Sequence, residues 1–147
     1  MSVHFLRFLP TCALLGGAAL ALTPPAGWVS AGSGLWRDEG GACLMREQSF
    51  DQTFPAMPSQ QDALRIGNKL QAALAKQGMS DINLQPISQA ADWSVLLAYT
   101  YPKNGVNYQV VQLYLSQNNQ LRTVTGSSAQ DATSLCVGVM RDFLKGR

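Results

Sequence analysis

Two periodicities divide the chain. Ala63, Ile66, Leu70, Ala73, Leu74 and Gln77 trace one stripe at steps of three and four, the spacing of a helix face. Ser59-Gln60-Gln61-Asp62 precedes them as a helix start, with an acid three residues after the serine. Gly78 follows as a left-handed stop, and Arg65, Lys69 and Lys76 fall largely on the solvated side. The same signals predict a second helix near the carboxyl end. Ser128-Ala129-Gln130-Asp131 repeats the start, and Ala132, Leu135, Cys136, Val139, Met140, Phe143 and Leu144 form its apolar stripe.

Between these helices the period falls to two. Ile82 and Leu84 alternate until Pro86, which confines that segment to an edge or a bulge. Trp93 to Tyr101 and Val106 to Leu115 alternate as well, joined by the turn residues Pro102-Lys103-Asn104-Gly105. Gln117-Asn118-Asn119-Gln120 then leads into Leu121 to Thr125, while Cys43 to Phe54 reads as a weaker strand. The expected fold class is α+β: an antiparallel sheet of three to five strands with two amphipathic helices packed on one face, in the order β-α-β-β-β-β-α. It occupies a single domain over residues 42–147.

A register that pairs Tyr101 with Val106 and Ser116 with Leu121 sorts the side chains onto two faces. Leu96, Ala98, Val111, Leu113, Val124 and Gly126 make an aliphatic face suited to lie under both helices. The other face sets Trp93 beside Tyr114, Val95 beside Gln112, Leu97 beside Val110 and Tyr99 beside Tyr108, with Tyr101 toward the hairpin tip and Thr123 and Thr125 beyond. With both helices on the aliphatic side, the aromatic face stays at least partly open. Trp93, Tyr99, Tyr101, Tyr108 and Tyr114 are then the candidate binding residues, because their rings join large contact area to a hydrogen-bonding tip.

The amino end has a third pattern. Phe8 to Leu22 is apolar or small apart from Pro10 and Thr11, with Arg7 before it and small residues at Ala19, Ala21 and Val29-Ser30-Ala31. This predicts an export signal over residues 1–31, cleaved after Ala21 or Ala31, then a flexible leader over 32–41. An apolar run of about 15 residues falls short of the roughly 20 that span a bilayer, so no stable membrane span is expected after cleavage. The expected location is periplasmic or secreted. There Cys43 and Cys136 form a disulfide, closing a loop of about 90 residues at about 4–5 kcal/mol of chain-entropy stabilisation.

Cleavage would also remove His4 and Cys12, leaving no imidazole for a nucleophilic relay or a histidine-containing zinc site. No metal site and no cofactor is expected. The nine carboxylates are scattered; Glu47 and Asp51 come nearest to a pair, and a solvated strand edge accounts for them. Gly126-Ser127-Ser128 could hold an anion at a helix start, although capping is the commoner use of such residues. Eleven Lys and Arg, less Arg7, against nine acids leave a charge near +1, which argues against a nucleic-acid partner. The expected function is that of a small, exported, non-catalytic binding domain that recognises an envelope or extracellular protein through the aromatic face. A glycan or small-ligand module is one alternative. A structural subunit of an envelope assembly, adding a partner strand to the Ile82 to Ile87 edge, is another.

Overall fold

The alternating segments pair into one antiparallel sheet in the computed structural model, which describes residues 23–129 and 135–146. The elements run β1 (Val29–Gly32), β2 (Leu35–Arg37), β3 (Cys43–Thr53), α1 (Gln60–Lys76), β4 (Ser80–Ser88), β5 (Trp93–Lys103), β6 (Val106–Gln117), β7 (Gln120–Ala129) and α2 (Cys136–Lys145). In space the strands lie β1-β2-β3-β7-β6-β5-β4. The α+β class and the element order from Cys43 onward match the sequence pattern. The strand number does not: among the described residues there are seven, and the two additional ones come from the segment read as signal and leader. Strands of four and three residues beside glycines are too short to show alternation. The leader is structured further on as well. Asp38 closes the β2–β3 turn, its Oδ1 accepting from the Cys43 N–H at 2.8 Å while its own N–H donates to the Cys43 carbonyl at 3.2 Å. Cleavage after Ala31 would cut through β1, whereas Ala21 and the apolar run before it lie outside the described residues.

Turn chemistry sets the register. Asn104 and Gly105 both have positive φ (51° and 75°), as a two-residue hairpin loop requires, so Pro102 and Lys103 remain in strand. Lys103 pairs with Val106 and Tyr101 with Tyr108, two residues away from the expected pairing; Ser116 does pair with Leu121. A slip of two leaves every side chain on its face, so the division into aliphatic and aromatic faces stands although the neighbours change. Tyr114 lies opposite Val95, not Trp93, and Tyr99 lies opposite Val110, not Tyr108. Pro86 sits on the edge strand β4, where a missing N–H is tolerated.

The helices do not share a face. α1 lies on the aromatic face over β4 and β5, where Ala63, Leu74, Ile66 and Leu70 pack with Val95, Leu97, Tyr99 and Tyr114. It sits close because Gly67 faces the sheet: a Cβ there would collide with Leu84 Cδ1 and lie 3.2 Å from Val95 Cγ1. Ser59 caps its start by accepting from the Asp62 N–H at 3.1 Å. Its end is a Schellman turn, with Gly78 at φ 89° and the Met79 N–H donating to the Leu74 carbonyl at 3.1 Å.

α2 crosses the opposite, aliphatic face on the β3–β7–β6 side, with Leu144 against Met45, Val111, Leu113 and Val124. The Cys43–Cys136 disulfide joins it to β3 across a Cα–Cα distance of 6.1 Å. The described helix begins at Cys136. Ser128 and Ala129, read as its start signal, are the last residues of β7, and the Ser128 hydroxyl donates to the Ala42 carbonyl at 2.8 Å. Gln130, Asp131 and Ala132 lie outside the described residues. Gly126-Ser127-Ser128 is thus sheet and offers no helix amides to an anion.

Candidate functional site

Because α1 covers only the β4–β5 half of the aromatic face, each row of side chains across the sheet changes character from one end to the other. One row runs Leu84, Leu97, Gln112, Thr125, Arg46, Leu35, and the next runs Tyr99, Val110, Ser127, Leu44, Arg37. The members under α1 are apolar or aromatic. Gln112 on β6 marks the change, and those beyond β6 are hydroxyls, guanidinium groups and half-exposed leucines.

The five aromatic candidates separate accordingly. Tyr99 and Tyr114 are buried among the residues that pack with α1, which corrects the expectation that they lie open. Their hydroxyls both donate to Gln112 Oε1, at 3.0 Å and 2.6 Å. Burial, followed by the charge of neighbouring Tyr101, pushes the Tyr99 phenol up to about 12, and burial raises Tyr114 in the same direction. Trp93 is half-buried at the far end, where the β3–α1 connection crosses the sheet; its N–H donates to the Met57 carbonyl at 2.8 Å. Tyr101 and Tyr108 face each other at the other end, half-buried beside Val106, which is 38% exposed. Of the predicted set, the structure therefore brings Tyr101 and Tyr108 together at the uncovered part of the face.

Two grooves meet at Gln112. One, of about 270 Å³, runs along the end of α1 past Met79 to Tyr101. The other, of about 280 Å³, crosses β7 to β3 and β2, lined by Thr125, Ser127, Arg46, Gln48, Leu44 and Leu35. Arg46 and Arg37 are exposed and make no salt bridge among the described residues, so this end of the face is positive. Sequence reasoning missed the β3 contribution. Leu44, Arg46 and Gln48 do alternate with Cys43, Met45 and Glu47, but neither set is uniformly apolar or polar, and that weakened the signal.

The carboxylates singled out from sequence are engaged separately: Glu47 pairs with Arg122, and Asp51 accepts from Gln120 at 3.3 Å. Among the described residues no three His, Cys, Asp or Glu side chains cluster to hold a metal. Nor is any described helix long and apolar enough to cross a membrane.

No family model matches the chain, and no match is found among curated proteins. Among solved structures it is similar to the solution structure of cyanobacterial PsbP (CyanoP) from Synechocystis sp. PCC 6803, with a TM-score of 0.51 and 17% identity. The alignment covers 84% of this chain and 81% of that one. At that identity the likeness is one of fold, and function has to be argued from the surface.

Proposed function

We propose that the chain is an exported, non-catalytic binding domain that docks an acidic surface of a protein partner on the open half of its aromatic face. The observation that carries this reading is the composition of the uncovered rows. Tyr101 and Tyr108 stand at one side and the exposed Arg46 and Arg37, without a salt bridge among the described residues, at the other, with hydroxyls and an amide between them. Tyrosine and arginine are the residue types that concentrate binding energy at protein interfaces, and Leu44, 40% exposed between them, supplies an apolar contact. The excess of positive charge selects an acidic partner and speeds its approach.

Site-directed photo-crosslinking tests this. A photoreactive residue replaces Leu44 in the groove or, as a control, Leu64 on the outer side of α1, in the protein expressed in its own cell. The Leu44 probe is expected to capture a discrete protein through a segment rich in Asp and Glu. Arg46→Glu should weaken capture about tenfold or more with an unchanged melting temperature, and Tyr108→Ala should do so while the protein stays folded at the temperature of the assay. Equal capture by both probes, or capture indifferent to Arg46→Glu, would count against the reading. Retention of a glycan in place of a protein would favour the module that stacks sugars on Tyr101 and Tyr108.

A further inference from the structure

The second partly open quadrant lies on the opposite side of the sheet. α2 crosses the aliphatic face mainly over β3, β7 and β6. On the β4–β5 side Ile87 and Leu96 are still buried in the cluster that holds Leu144. Among the described residues the face opens beyond them, toward Asn83 and Ala98. Edge strand β4 lays Asn83 opposite Ala98 and Gln85 opposite Leu96, with Asp81 before them. The facing wall is the side of α2 that carries Arg141 and Lys145, four residues and about one turn apart. Together with Gln109 of β6 these groups line an open cleft of about 390 Å³, within the size range of small-molecule sites, with Asp81, Asn83, Gln85, Arg141 and Lys145 all exposed to solvent.

Three features make this cavity more than a gap between elements. The pairing of β4 with β5 slips between Ser80 and Asn83, and Asp81 within that bulge has φ 53°, a left-handed conformation that Asp adopts more readily than most side chains. The bulge keeps the Asp81 carboxylate on the cavity wall, where the nearly buried Thr100 hydroxyl donates to it at 3.5 Å. Opposite charges then line one cavity without meeting: among the described residues no salt bridge joins Asp81 to Arg141 or Lys145. Finally, the carboxamides of Asn83, Gln85 and Gln109 make no side-chain hydrogen bond among the described residues, although each carries both donors and an acceptor.

We propose that this cavity binds a small zwitterion, a free amino acid or short peptide whose carboxylate meets Arg141 and Lys145 and whose ammonium meets Asp81. A guanidinium fork matches a carboxylate in two parallel hydrogen bonds, so Arg141 makes the main contact. Lys145 adds charge but also complements the carboxyl end of α2, and contributes less. A purely anionic ligand would face Asp81, and a purely cationic one would face Arg141. Only a ligand carrying both charges satisfies the two walls at once, with peptide groups along the row of carboxamides.

The site lies on the other face from the proposed partner surface, so the two proposals stand or fall separately. The test is a titration of the amide NMR spectrum with triglycine, with glycine, and with triglycine capped by acetylation, by amidation or at both ends. Triglycine is expected to give saturable shifts along β4 and the last turns of α2. Capping either terminus should weaken binding about three- to tenfold. Arg141→Ala should erase the advantage of the free carboxylate, and Asp81→Asn that of the free ammonium, while each variant keeps the preference that depends on the other wall. Both residues are exposed, so neither substitution removes core packing, and the amide spectrum reports the fold directly. Glycine binding as tightly as triglycine would narrow the ligand to amino acids; tighter triglycine would narrow it to peptides. Absence of saturable shifts up to about 20 mM, or equal binding of the doubly capped peptide, would overturn the proposal.

Discussion

Gln112 has a role that its residue type does not announce. Its Oε1 accepts from two buried phenols, and the same side chain lines both grooves of the aromatic face. Gln112→Leu strands two hydroxyls beneath α1, and chemical denaturation is expected to show a loss of about 1–3 kcal/mol. The phenols also tie stability to alkaline pH. Their folded-state values lie above the ordinary one near 10, with Tyr99 at about 12. Below pH about 10 both states keep these protons and the contribution is complete. Between about 10 and 12 the unfolded chain releases protons that the folded chain retains, so stability falls as pH rises. A denaturation series across that window should show the decline, and Tyr99→Phe should flatten it; a midpoint independent of pH there would contradict the burial of the phenol. The aromatic residues were legible in the sequence as sharing one face. Their separation into a buried pair and a half-exposed pair was not, because it depends on where α1 lies.

Elements came through the sequence pattern better than their arrangement did. Capping at Ser59, the stop at Gly78 and the edge position of Pro86 are local properties, and each was readable from a few residues. Side-chain faces survived a two-residue error in the β5–β6 register because the strand period is two. The placement of both helices on one face failed for a reason visible in hindsight. Val95, Leu96 and Leu97 form a continuous apolar run and all three are buried, the mark of a strand covered on both sides. Gly67 marks the same close contact from the helix side. Gly67→Ala would raise helix propensity by about 1 kcal/mol, but the added methyl meets Leu84 and the stiff Val95, and overpacking costs about 1–3 kcal/mol. A net loss near 1 kcal/mol is expected by thermal unfolding, partly recovered when Leu84→Ala is added. A stabilised single variant would show that α1 is free to lift.

At the scale of the molecule, the described helices sit on diagonally opposed halves of one sheet, which leaves one partly open quadrant on each face. The disulfide fastens the shorter helix, whose described length is ten residues, to the N-terminal half of the chain across a sequence separation of 93. Replacing Cys43 and Cys136 together by serine is expected to cost about 2–5 kcal/mol. Amide exchange should show the first turns of α2 opening first, since their anchoring cluster is Cys43, Cys136 and Met140, whereas Leu144 packs separately on the sheet. Protection in α2 that matched the rest of the sheet would argue that its apolar stripe alone holds it down. The strand order has a consequence in time as well as in space. β3 is made before α1, yet on the side away from β2 its hydrogen bonds go to β7, the last of the described strands. A chain that emerges amino end first can pair β1 to β3 with one another, but must hold β3 without its β7 neighbour until nearly all of the described sheet has appeared. The meander from β4 to β7 pairs only neighbours and closes early, whereas docking of β3 requires a long loop to close. The β1–β3 unit is made early yet joins the rest of the sheet last, so the described sheet closes as one piece only when β7 is complete.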